Sequence, residues 1–267
     1  MAPFDTIEVR TDGPVHHITL ARPASRNAMS RQMVAELLDA LANAQDQDAR
    51  VIVLRGAGGH FCAGGDIKDM AAARGGDASH AGGHGDPIAE LNATFGRLAL
   101  AYARTQVPVV AVVEGAVMGG GFGLACTADV VIASTTAQFR LPETSLGVVP
   151  AQIAPFLVER LGYSEAKRLA VTGARLDAAG AREVGLVHEV VEPGELDARV
   201  GATVRQILAC APGAVAATKA LLHGLHPGVT EEAIDRAATV FAIAARGDEA
   251  AEGMGAFLAK RKPSWAP

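Results

Sequence analysis

The sequence predicts an α/β fold that passes into a helical C-terminal region, and three observations carry that reading. Short β-branched apolar runs alternate with segments of helical period. A unit of apolar strand, glycine turn and helix occurs twice, around "HFCAGGDIKDM" (residues 60–70) and "GAVMGGGFGLACTADVVIA" (115–133). From about residue 150 the pattern becomes mainly helical. With 267 residues, 49% hydrophobic and 20% charged, the chain can bury a large core.

The elements follow in order. "TIEVRTDGPVHHITLARP" reads as a hairpin, two strands of alternating β-branched residues around the turn Thr11-Asp12-Gly13-Pro14. Ser30 can cap a helix whose apolar positions Met33, Val34, Leu37, Leu38 and Leu41 recur at helical spacing. "VIVLRG" (51–56) is a short buried strand ended by glycine. The glycine-rich stretch from Ala72 to Pro87 has no period and is expected to form a mobile loop. "IAELNATFGRLALAYART" returns to helical spacing; "PVVAVVEG" is a buried strand, "GGFGLACTA" a short buried helix and "DVVIAS" another strand. Beyond 150, helices are expected at "APFLVERLG", "SEAKRLAVTG" and "DAAGAREVG", a strand at "LVHEVVE", and further helices beginning near Pro193, Pro212, Thr230 and Asp248. The boundary between a core (1–200) and a C-terminal helical oligomerisation or capping region (201–267) is placed near 200.

A net charge of −5 without any local basic stripe argues against a nucleic-acid partner. Cys62, Cys126 and Cys210 are too few and too widely spaced for a disulfide framework or a zinc site, which suits a reducing cytoplasm. "MAPFDTIEVR" carries Asp5 and Glu8 and lacks a signal-length apolar core, and no apolar run reaches spanning length without charge or glycine, so no membrane association is expected.

Glycine pairs at the mouth of a helix are backbone devices. Without Cβ a turn can bring a peptide N–H against a ligand oxygen, and the helix behind it adds the positive end of its dipole. One donor from Gly64-Gly65 and another from Gly119-Gly120-Gly121 would form an oxyanion hole for a carbonyl that becomes negative during reaction. Tight turns or close helix packing would explain either motif taken singly. The nucleotide-binding alternatives fail on spacing: Leu124 stands where G-x-G-x-x-G needs its last glycine, no Gly-Lys dipeptide exists for a P-loop, and no G-x-S-x-G elbow is present.

"RPASRNAMS", "FCAGGDIKDM", "VEGAVMGGGFGLACTADVVIA", "AQFRLPETSLGVVP" and "TGARLDAAGAREVGLVHEVV", in that order, resemble the crotonase (enoyl-CoA hydratase/isomerase) superfamily through nearly the whole chain. The resemblance implies a spiral of repeated ββα turns, a helical C-terminal region, homotrimers or dimers of trimers, and acyl-CoA thioesters as substrates. Coenzyme A then enters as part of the substrate and no separate cofactor is expected. It further implies oxyanion donors at the N–H groups of Gly65 and Gly120. Ser25, Arg26, Ala63, Asp66, Ile67 and Lys68 would lie along the adenine and pantetheine, with Phe257 and Lys260 near the nucleotide, of an adjacent subunit if not their own.

Hydratases of this family flank the enoyl group with two glutamates. Here Glu143, in "LPETSLG", matches the second, and the first falls on Gly123. Taken by itself Glu143 would read as an exposed loop acid. Its place in the motif makes it the catalytic candidate. One carboxylate of raised pKa could deliver water to C3 and a proton to C2 in turn, or move a proton between carbons as an isomerase does. A non-catalytic acyl-CoA-binding or assembly protein on the same scaffold is the third reading. "LPETSLGVVPAQIAPFLVERLG" resembles the branch of methylglutaconyl- and isohexenylglutaconyl-CoA hydratases, and Gly123, counted among the substrate-binding residues, is expected to widen the acyl pocket.

Glu114, Asp69 and Asp86 are strand-end or loop acids expected to be solvated rather than catalytic. His80 and His84 lack a helix or a third ligand, so no metal is expected. Cys62 reads as a packing residue without a histidine partner, His60 has no assigned role, and Asp129 reads as a structural acid where helix passes to strand.

Overall fold

The computed structural model describes residues 4–74, 86–225 and 230–266. Strands β1 (Ile7–Asp12) and β2 (Val15–Leu20) pair antiparallel across Gly13-Pro14, with Asp12 opposite Val15, as the turn residues require. β3 (Val51–Gly56), β4 (Val109–Val113), β6 (Val130–Ser134) and β9 (Glu189–Val191) continue the sheet in parallel, giving the order β1-β2-β3-β4-β6-β9. The near-continuous Val/Ile content of β3, β4 and β6 follows from burial on both faces. A second sheet, order β5-β7-β8, is made of three-residue strands: β5 (Ala116–Met118), β7 (Gln138–Arg140) and β8 (Arg175–Asp177).

Each turn of the chain visits the large sheet, then the small one, then a helix. β3 is followed by a bridge of Cys62 to Val117 of β5, and then by α2 (Ile67–Arg74). β4 is followed by β5 and α4 (Gly120–Thr127), and β6 by β7 and α5 (Ala154–Thr172). This is the expected ββα spiral. α1 (Arg31–Asp46) begins at Ser30, whose hydroxyl accepts from the Met33 N–H at 3.2 Å, and it buries Met33, Val34, Leu37 and Leu41. α3 (Pro87–Arg104) packs between α1, α4 and α9.

Two expectations are corrected. Residues 72–74 complete α2 and Asp86 opens α3, so the expected loop gives up both of its ends; its remainder, with His80 and His84, lies outside the described residues. The helices expected at "APFLVERLG" and "SEAKRLAVTG" are both present, meeting at a kink at Gly162, whose φ of 74° glycine adopts at little cost. The boundary at 200 cuts α7 (Leu196–Leu208), whose Leu196 and Val200 pack on β3, β4 and β6.

The helical region beyond is α8 (Pro212–Leu225), α9 (Glu231–Arg246) and α10 (Asp248–Leu258). Its Ile234, Ala238, Phe241, Ala242 and Ala250 belong to the same hydrophobic core as the sheet. α6 (Ala178–Glu183) is capped by Asp177, whose carboxylate accepts from the Gly180 N–H. Among the described residues no single helix is long and apolar enough to cross a membrane.

Candidate active site

The two glycine turns meet. A Cβ on Gly119 would lie 3.8 Å from the Gly64 Cα, and one on Gly64 would lie 3.3 Å from the Met118 carbonyl oxygen. Backbone conformation demands glycine at these two: Gly64 has φ 100° and Gly119 φ 49°, which side chains disfavour. The next residue in each turn supplies the candidate donor. Gly120 is the first residue of α4, so its N–H has no intrahelical acceptor, and among the described residues neither it nor the Gly65 N–H donates to any partner. Gly65 itself has open space where a Cβ would stand.

The first turn is held against the segment after β2. Ala63 N–H donates to the Arg26 carbonyl at 2.9 Å, Met29 N–H to Gly64 at 2.8 Å, and Asp66 N–H to Met29 at 2.9 Å. Asn27, buried with φ 58°, ties this segment down by donating to the carbonyls of Ala57 and His60. Ser25, Arg26, Ala63 and Gly65 are thereby brought to one place, with Ile67 and Lys68 exposed at the start of α2.

Asp66 is different. It is buried, pairs with Arg22 at 2.8 Å and accepts from the Lys68 N–H, and despite burial these contacts hold its carboxyl below the usual range. Its carboxylate thus helps to fix the turn. The second turn is anchored by the Gly119 N–H on the Arg140 carbonyl and by His60 Nδ1 accepting from Ala116 N–H.

Glu143 completes the site from a 3-10 turn, Glu143–Leu146, that follows β7. Its Oε1 lies 2.8 Å from the position a Cβ on Gly119 would take, so bare backbone there makes room for the carboxylate. Although the residue as a whole is half-buried, Oε2 is enclosed and has no hydrogen-bond partner. Burial pushes the carboxyl up to about 7, against the opposing pulls of its own N–H and of Arg140. Such a group can both take and return a proton near neutrality.

Gly123 does not open the pocket. A Cβ there would fall 2.1 Å from Cγ2 of Ile153, which is 3% exposed: the space released by a missing side chain is filled by "PAQIAP" itself. The sequence showed both the glycine and the unusual turn but not that one fills the other. Cys62 is wholly buried with its thiol pushed up to about 12, a packing residue against Gly121.

Asp86 is fully buried and paired with Arg246 at 2.6 Å while accepting from the Ile88 N–H, correcting its reading as a solvated loop acid. Asp129 accepts from Val109 N–H and pairs with Lys219, as a structural acid would. Phe257 and Lys260 sit exposed at the far end of α10, and no hydrogen bond or ion pair among the described residues joins their side chains to the glycine turns.

A family model described as enoyl-CoA hydratase/isomerase matches residues 10–267. The crystal structure of an enoyl-CoA hydratase/isomerase from Marinobacter aquaeolei is 50% identical, with a TM-score of 0.80 over 98% of this chain and 99% of that one. An enoyl-CoA hydratase from Mycobacterium avium is 33% identical, with a TM-score of 0.83 over 98% and 99% of the two chains. A peroxisomal Delta(3,5)-Delta(2,4)-dienoyl-CoA isomerase of Arabidopsis thaliana is 31% identical over 100% of this chain and 99% of its own. Two glycine turns that converge beside a buried carboxyl, within this ββα spiral and this set of relatives, place the chain in the enoyl-CoA hydratase/isomerase family.

Proposed function

We propose that the protein is an enoyl-CoA hydratase, adding water across the α,β double bond of an acyl-CoA thioester. The observation that carries this reading is the Glu143 carboxyl, raised to about 7 and set against the Gly64–Gly119 contact. The thioester oxygen would accept from the Gly65 and Gly120 N–H groups. Ionised Glu143 takes a proton from water as its oxygen bonds to C3 and the π electrons move onto the thioester oxygen as an enolate. The enolate then collapses as the carboxylic acid delivers that proton to C2, so one water is added and the glutamate is restored, with both additions from the same face. The oxyanion donors are each worth about 2.7–4 kcal/mol to the transition state.

The same carboxyl could return the proton to a different carbon. Double-bond isomerisation is favoured by one observation: Ile153 closes the space at Gly123, which leaves Glu143 as the carboxylate beside the turns. Incubation with a mixed enoyl-CoA library separates the readings, since gain of water marks a hydratase and unchanged mass with altered retention an isomerase. Glu143→Gln is expected to keep the fold and CoA binding while losing about 10²–10⁴-fold in turnover. Near-normal hydration by that variant would remove Glu143 from the mechanism.

CoA is carried in by the substrate, and the proposed chemistry calls on no further cofactor or metal. Ser25, Arg26, Ala63, Ile67 and Lys68 border the route the CoA would take. The exposed Leu221, Leu222, Ile243, Phe257 and Leu258 of the C-terminal helices support association of copies into trimers or pairs of trimers. In such an assembly Phe257 and Lys260 would approach a neighbour's nucleotide. Three free cysteines suit a cytoplasmic protein.

A further inference from the structure

The turn that carries Glu143 does not hold itself in place. Its own bonds are short-range: Val148 N–H donates to the Glu143 carbonyl at 3.0 Å, and the Ser145 hydroxyl to the Pro142 carbonyl. From outside, α5 holds it by one side-chain bond, the Thr144 hydroxyl donating to the Ala170 carbonyl at 3.0 Å, whereas α10 approaches backbone to backbone at two places. A Cβ on Gly253 would lie 2.6 Å from both the carbonyl carbon and the oxygen of Leu146. From the other side, a Cβ on Gly147 would lie 2.3 Å from the Glu249 carbonyl carbon and oxygen. The face of α10 turned inward is Ala250, Gly253 and Ala256, all buried, so no flexible side chain can absorb a displacement. The start of α10 is fixed in turn, because Arg246, the last residue of α9, is held by the buried Asp86.

We propose that α10 is the clamp that positions the Glu143 carboxylate, with Gly253 as the positioning residue whose bare Cα sets how closely helix and turn can approach. This rests on the reading of Glu143 as the acid–base group. An added methyl at 253 meets main chain rather than a side-chain tip, so the turn must retreat from α10 and carry Glu143 away from its place at Gly119. Gly255, two residues on in the same helix, supplies the control: a Cβ there meets nothing within 4 Å.

The test is direct titration of Glu143 by ¹³C NMR of carboxyl-labelled protein, assigned with Glu143→Gln, alongside enoyl-CoA turnover and a thermal melt. Gly253→Ala is expected to lower the Glu143 pKa by about one unit or more as water reaches the carboxyl. It should also lower kcat by at least about tenfold with KM little changed, the consequence of misplacing a reacting group. Gly255→Ala should leave both readouts at wild-type values.

Should Gly253→Ala fail to fold, Ala250→Gly loosens the same contact without adding atoms and is expected to shift the titration in the same direction. A folded Gly253→Ala, or in its place Ala250→Gly, whose Glu143 titrates as in wild type overturns the clamp. Because the titration needs no substrate, that failure is separable from failure of the hydratase reading, which would show as a wild type that turns over no enoyl-CoA.

Discussion

A glycine doublet in a sequence announces that bare backbone is needed but not which member needs it. Here the residues whose backbone conformation requires glycine are Gly64 and Gly119, one position before each candidate donor. Gly65→Ala keeps its N–H and meets no protein atom, so it is expected to fold with wild-type stability. Gly119→Ala adds a methyl 2.8 Å from the Glu143 carboxylate at φ 49°. It should cost about 1–3 kcal/mol in stability from backbone strain and displace the Glu143 carboxyl as well. Melts of the two variants side by side, with turnover of Gly119→Ala, check this; equal loss of stability in both would mean that the turns are not built as described. Gly123 teaches the same lesson in reverse, since a missing side chain reads in sequence as a vacancy until Ile153 is seen to fill it.

Elements whose signal is internal were legible. α1 shows its cap and its apolar period, and β3, β4 and β6 show continuous β-branched runs. β5, β7 and β8 were not, because three residues carry no period and these strands exist through their neighbours' hydrogen bonds. The end of α2 was hidden by the glycine-rich stretch that follows it. The Asp86–Arg246 pair was equally invisible, since its partners stand 160 residues apart. Within it Asp86 is fully buried and also caps α3, so removing the cation takes away two charge-assisted hydrogen bonds to a buried carboxylate. Arg246→Ala is therefore expected to cost about 1–3 kcal/mol, measured by urea unfolding. A loss below 1 kcal/mol, the range of about 0–1 expected of an exposed pair, would mean that the contact does not form as described.

At the scale of the whole molecule, the chain that looked divisible near residue 200 has one principal core: α7 crosses the division, α9 lies along α3, and α10 bears on the turn of Glu143. Sequence composition separated a sheet-rich part from a helical part correctly, but which surfaces those helices bury depends on contacts of long sequence separation. One consequence is that the Glu143 carboxyl draws on the stability of the entire fold. Below its ordinary value of 4.5, Glu143 is protonated whether the chain is folded or not, and it contributes no pH dependence. Between 4.5 and about 7 the folded chain keeps a proton that the unfolded chain has released, so stability falls as pH rises through that window. Above it the folded state carries the full cost of a buried anion, at most about 3 kcal/mol for a shift of this size. Asp66 and Glu36, whose carboxyls are held low by Arg22 and by hydrogen bonds from Thr6, act in the opposite sense at lower pH, but they are common to wild type and Glu143→Gln. The difference in unfolding free energy between those two proteins isolates Glu143: it should change in favour of the glutamine variant from about pH 5 to about pH 8 and then level off. A difference that stays flat across that range would show an ordinary, solvated carboxyl at 143, and the buried acid–base group would be lost with it.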